Sequence, residues 1–128
     1  MVINTFLVED KTDIRDTLVS AMEELVPLHF VGVAATETAA RQWLGIHNDA
    51  WDLAIVDLSL AEGTGFGFGV LKDCQVRKPQ QKVIVFTSQC QQNILHRCRE
   101  LGADEIFNKT EEVKEMVLFC RAHAENLG

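Results

Sequence analysis

Carboxylates stand directly after two short apolar runs in this 128-residue chain: Glu9 and Asp10 follow Phe6–Val8, and Asp57 follows Leu53–Val56. Two further apolar runs end on groups that can hold oxygen anions. Thr87 and Ser88 follow Val83–Phe86, and Lys109 stands one residue past Glu105–Phe107. A charge at the tip of a buried strand must reach solvent, a metal or a partner. Three carboxylates held close together repel one another unless a cation lies between them or a proton is retained. Oxygen-only ligands suit a hard ion, and Mg²⁺ is usually held by a few carboxylates, water and a phosphate oxygen. In such a site an aspartate can attack phosphorus to give an aspartyl phosphate, while a lysine and a hydroxyl hold the transferred oxygens.

These residues share a site only if the elements carrying them lie side by side. Five apolar runs read as strands: FLV at 6–8, FVGVA at 30–34, LAIV at 53–56, VIVF at 83–86 and EIF at 105–107. Segments of helical period separate them. Ile14, Leu18, Ala21, Met22 and Leu25 form an apolar stripe ended by Pro27, and Ala39, Ala40, Trp43 and Leu44 form another with Thr36 as N-cap. Ile94, Cys98 and Leu101 precede Gly102, a C-cap position, and Val113, Val117, Cys120 and Ala124 mark the last helix. The third helix carries Gly67 and Gly69 in its first turn, each costing about 1 kcal/mol against alanine, so Phe66–Cys74 is expected to fray. Strands alternating with helices imply a parallel sheet covered on both faces, and ligands of such sheets bind beyond the carboxyl ends of the strands.

LVEDK with Glu9 and Asp10, IVDLSLAEGTG with Asp57, VIVFTSQ with Thr87 and GADEIFNK with Lys109 together resemble the receiver domain of two-component response regulators, similar to the single-domain chemotaxis type. The resemblance spans essentially the whole chain, residues 1–128. It implies a flavodoxin-like α/β fold, a doubly wound five-stranded parallel sheet of order 2-1-3-4-5 with five helices. It implies Asp57 as phosphoacceptor, with Asp10, Asp57 and the backbone carbonyl of Ser59 on Mg²⁺ and Glu9 acting mostly through coordinated water. Thr87 and Lys109 would bind the phosphoryl group, and Ser59 and Gln89 would tune its lifetime. The phosphodonor would be a sensor histidine kinase or a histidine phosphotransfer protein. The output would be read by a downstream protein target on the face of the fourth helix, fifth strand and fifth helix. Such a protein is a phosphoacceptor that catalyses only its own phosphotransfer and dephosphorylation.

Three positions depart from the family pattern: Ala61 and Thr110 stand where prolines are common, and Ile106 where an aromatic switch residue is frequent. A non-proline cis bond costs about 2.5 to 4 kcal/mol, so the Lys109–Thr110 peptide is expected to be trans and its loop reshaped. Signalling through loop and helix shifts then replaces an aromatic rotamer switch at Ile106.

Other features narrow the partners. A net charge of −7 excludes a nucleic-acid surface. No basic leader and no apolar run of about 18 residues is present, which points to the cytoplasm and away from membrane insertion. Cys74, Cys90, Cys98 and Cys120 have no metal or redox spacing and read as buried free thiols, and the four histidines share no ligand spacing. GTGFGFG at 63–69 matches neither a dinucleotide fingerprint nor a P-loop, because Phe68 and Val70 stand where glycines are needed. Ser88 and Gln91 fit a capping box, so Ser88 reads as structural. In the last helix Met116, Leu118 and Phe119 exceed the core stripe and, with Ile106, form a candidate partner or homodimer surface. Met1 and the polar tail Glu125–Gly128 suit natural chain ends. A phosphorylation-independent interaction module, a receiver fragment of a longer transcriptional regulator and an aspartate-nucleophile phosphohydrolase are the alternatives. The last lacks a second acid at residue 59 and residues for a substrate cap.

Overall fold

Each of the five apolar runs is a strand in the computed structural model, which describes residues 2–58, 67–88 and 91–127. They are β1 (Ile3–Val8), β2 (Leu28–Ala34), β3 (Leu53–Val56), β4 (Lys82–Thr87) and β5 (Glu105–Asn108). The helices are α1 (Thr12–Leu25), α2 (Glu37–His47), α3 (Phe68–Cys74), α4 (Gln92–Glu100) and α5 (Val113–Leu127). The sheet is parallel with order β2-β1-β3-β4-β5, the expected doubly wound arrangement. Helices α1 and α5 cover one face with Met22, Met116, Cys120 and Ala124, and α2, α3 and α4 cover the other with Leu44, Leu71, Cys74 and Cys98. Both faces of β3 are therefore buried, which explains its unbroken LAIV run.

Local signals end the helices largely as their residue types require. The Thr36 hydroxyl accepts the Ala39 N–H at 3.0 Å. Gly102, at φ +93°, closes α4 with a Schellman pair: its N–H donates to Arg99 and the Ala103 N–H to Cys98. Helix α1 gives way to extended backbone at Val26, just before Pro27. The Ser88 capping box does not form. Helix α4 starts at Gln92 with Gln91 as N-cap, and Ser88 is exposed on the preceding loop. Against the expected fraying, α3 is tied to α2: the Gly69 N–H donates to Glu37, and Arg41 grips Asp73 through two hydrogen bonds. Gly67 enters α3 at φ +76°, a conformation that favours glycine, and Phe66 lies outside the described residues.

The apolar stripes differ from expectation at their ends. On α1 only Met22 is buried, whereas Ile14 and Leu25 are exposed. On α5 the core positions are Met116, Val117, Cys120, His123 and Ala124, and Val113 faces outward. Met116 is fully buried, which removes it from the partner surface. Phe119 is half-buried edge-on to Phe107, and Ile106 is half-buried against the α2–α4 side. Of the four residues of that surface, Leu118 is freely exposed. Cys74, Cys98 and Cys120 are buried and unpaired, and burial pushes their thiols up to about 12, 11 and 12. Cys90 lies outside the described residues.

An irregularity in β2 shapes its sequence. The register slips between Thr5↔Phe30 and Phe6↔Gly32, leaving Val31 as an extra residue. Leu28 and Phe30 therefore face α1 and α5, whereas Gly32 and Ala34 face α2. Trp43 fills the space at Gly32 and stacks on Phe6 with centroids 4.1 Å apart, and a Cβ at Gly32 would lie 2.5 Å from its indole. We expect Gly32→Ala to cost about 1 to 3 kcal/mol in urea denaturation, since the stacked ring cannot retreat without disturbing Phe6. A loss within error would show that Trp43 relocates freely.

Candidate functional site

The ladders extend one residue beyond the ends of β1, β3 and β5, and that residue carries the chemistry. The Glu9 N–H donates to Ala34 at the end of β2, the Asp57 N–H to Val8 at the end of β1, and the Lys109 N–H to Thr87 at the end of β4. Each backbone is thus pinned by its neighbour strand before its side chain reaches into the site.

Glu9 and Asp57 are almost fully buried, at 1% and 3% exposure. The Lys109 ammonium stands 2.5 Å from Glu9 Oε1 and 3.0 Å from Asp57 Oδ2, bridging the two carboxylates. Glu9 also accepts the Lys11 N–H through Oε2 at 3.3 Å. Thr87 is buried at the end of β4, its carbonyl holding Lys109. A cavity of about 540 Å³ opens over Asp57 and Lys109, walled by Lys11, Ile14, Phe86, Ser88 and Thr110. Of these, Lys11, Ile14 and Phe86 are site residues that the strand-end pattern did not mark, because Lys11 stands at the N-cap of the next helix, Ile14 lies within it and Phe86 belongs to the core run itself. The structure thus brings Glu9, Asp10, Asp57, Thr87 and Lys109 to one edge, whereas Ser59 and Gln89 lie outside the described residues.

Oxygen atoms of Glu9, Asp10 and Asp57 lie within 4.8 Å of one another. Asp10 Oδ1 is buried without a hydrogen-bond partner among the described residues, a costly state for a carboxylate oxygen. An orphaned oxygen beside two further carboxylates is a donor set that fits a hard divalent cation such as Mg²⁺.

Burial pushes the Glu9 carboxyl above its ordinary 4.5, the hydrogen bond from Lys109 pulls it down, and the charge of Asp57 pushes it up again; the net direction is upward. Burial acts to lower Lys109, but its hydrogen bond to Glu9 and the charge of Asp57 prevail and hold it above 10.5. Lys109 is therefore a cation at neutral pH. Its contribution to stability is complete below 10.5 and is lost as pH climbs through its raised folded value. Folded Glu9 holds its proton more tightly than the unfolded chain does, so its contribution falls as pH rises from 4.5 through the raised value. We expect the stability of the wild type relative to Glu9→Gln to fall over that interval in metal-free urea titrations. A difference that does not vary with pH would refute the assignment.

The Lys109–Thr110 peptide is trans, as are all described peptides, and the loop is held by side chains. Asn108 Oδ1 accepts from the Thr110 N–H, the Thr110 hydroxyl and the Glu111 N–H.

A family model for the response regulator receiver domain matches residues 5–120, and the chain belongs to that family. Solved structures agree in fold. The response regulator domain of Thermotoga maritima CheB is 18% identical with a TM-score of 0.76, over 95% of this chain and 98% of that one. A LuxR-family DNA-binding response regulator from Staphylococcus aureus is 16% identical with a TM-score of 0.81, over 94% and 98%. A Burkholderia pseudomallei response regulator, solved with a phosphorylated aspartic acid, calcium ion and citrate, is 18% identical with a TM-score of 0.75, over 98% and 70%. No curated protein sequence matches the chain. Receiver domains typically bind Mg²⁺ at a buried acidic cluster, which Glu9, Asp10 and Asp57 form here, and they interact with histidine kinases or phosphotransfer proteins. Among the described residues no helix is long and apolar enough to cross a membrane.

Proposed function

We propose that this chain is a stand-alone cytoplasmic response regulator that accepts a phosphoryl group on Asp57 from a histidine kinase or phosphotransfer protein and signals by altered docking or onward relay. The observation that carries this reading is the Lys109 ammonium, held 3.0 Å from a nearly buried Asp57 under an open cavity. An Asp57 carboxylate oxygen forms the new bond to phosphorus as the donor's P–N bond breaks, with the electron pair leaving on the donor imidazole. Lys109 then turns from the carboxylates toward the equatorial oxygens, where negative charge accumulates, and Thr87 is the hydroxyl poised at the neighbouring strand end. Asp10 and Asp57, together with Glu9, would hold Mg²⁺, which when bound would supply charge neutralisation. The phosphorylated aspartate of the similar Burkholderia protein is consistent with this assignment. The chain would turn over only its own phosphoryl group and no exogenous substrate.

The test is intact mass after incubation with acetyl phosphate, with and without Mg²⁺, for wild type and Asp57→Ala. A single Mg²⁺-dependent phosphate adduct, labile to hydroxylamine and absent from the variant, is expected. No adduct and no Mg²⁺ binding would move the function to a phosphorylation-independent interaction module.

A further inference from the structure

We propose that Asn108 is a positioning residue for Lys109: its carboxamide, with the Glu112 carboxylate, folds residues 109–112 into the one turn from which the ammonium reaches Asp57. The inference rests on Asp57 as phosphoacceptor. Thr110 brings an N–H and a hydroxyl into a loop where a proline would bring neither, and both donate to Asn108 Oδ1, at 2.8 and 2.7 Å. The Glu111 N–H adds a third bond at 3.2 Å. Glu112 answers reciprocally, as in a capping box one residue wider than usual: its Oε1 accepts the Asn108 N–H at 2.9 Å, and its own N–H donates to the Asn108 carbonyl at 3.0 Å. The Glu112 carbonyl then accepts from Met116, so the turn runs directly into α5. On the other side, Asn108 pairs with Thr87 in the sheet and the Lys109 N–H donates to the Thr87 carbonyl.

Lys109 is thus clamped from both directions. A lysine side chain has four rotatable bonds, so the ammonium can bridge Glu9 and Asp57 reproducibly only if its backbone is fixed. One oxygen at the end of β5 accepts three donors from the loop that follows, and what it fixes is the residue next to it. The signal was present in the sequence as an asparagine four residues ahead of a glutamate at a helix start.

The experiment measures single-turnover phosphate uptake from acetyl phosphate at saturating Mg²⁺, below each variant's unfolding midpoint. The variants are Asn108→Ala, Asn108→Asp, Lys109→Ala and the Asn108→Ala/Lys109→Ala pair. Asn108→Ala should slow uptake about tenfold. Asn108→Asp, which keeps the acceptor oxygen, should recover to within about twofold of wild type, and the double variant should be no slower than Lys109→Ala alone. A purely structural asparagine would lower the unfolding midpoint of Asn108→Ala while leaving the rate per folded molecule unchanged, or would slow the double variant by its own full factor; either result overturns the proposal. If Asn108→Ala does not fold, Glu112→Ala loosens the same turn and is judged by the same two outcomes. If wild type takes up no phosphoryl group, the phosphoacceptor reading fails separately. The positioning is then decided by metal-free unfolding: non-additive effects of the two single substitutions uphold it, and additive ones overturn it.

Discussion

Lys109→Met should unfold at much lower urea concentration than wild type when Mg²⁺ is absent, a loss of about 3 to 5 kcal/mol. Methionine keeps most of the packing volume and removes only the charge, leaving Glu9 and Asp57 facing each other at 1% and 3% exposure without their bridging cation. The loss should shrink under acid conditions, because burial raises the Glu9 carboxyl and it takes up its proton sooner as the pH falls. It should shrink with Mg²⁺ as well, since a cation bound only by the folded state stabilises in proportion to RT ln(1 + [L]/Kd). A loss under about 1 kcal/mol in metal-free buffer would mean that water reaches the carboxylates and screens them.

Asp10→Ala should separate the metal from the fold. Even outer partners of a metal contribute about tenfold to a hundredfold in affinity, so if Asp10 ligates the ion directly, as proposed, its removal should weaken Mg²⁺ binding by about a hundredfold or more, read by calorimetric titration. Metal-free stability should not fall, because Asp10 Oδ1 has no described partner to lose and its charge crowds two other carboxylates. The opposite pattern, intact Mg²⁺ affinity with a lower unfolding midpoint, would make Asp10 a structural residue and relocate the ion.

The sheet and its chemical edge were legible because strand ends are marked twice, by where an apolar run stops and by which polar residue stops it. Helix faces were less so. On α5, Val113/Val117/Cys120/Ala124 and Met116/Cys120/His123/Ala124 are overlapping stripes, and a polar His123 concealed the second. His123 is nevertheless buried, with its ring nitrogen 2.9 Å from the Asp52 carbonyl. Ser88 looked like a cap because spacing alone could not reveal that α4 begins later, at Gln92. The loop after Lys109 was read by what it lacks, a proline, when what organises it is the Asn108 carboxamide oxygen, which accepts from Thr110 and Glu111. The slip in β2 left no trace in the sequence, since FVGVA has no polar residue to mark where the strand changes face.

That slip bears on how the molecule meets its neighbours. Strand β2 lies at the outer edge of the sheet, with Val31 and Val33 partly exposed, and a straight strand of this composition offers another chain a ladder to join. The inserted residue bends the strand and breaks the regular spacing of its outward N–H and C=O groups. Without Val31, Phe30 and Gly32 would still point to opposite faces, so the core has no need of it. Its consequence is colloidal: an apolar border that the next molecule cannot easily copy.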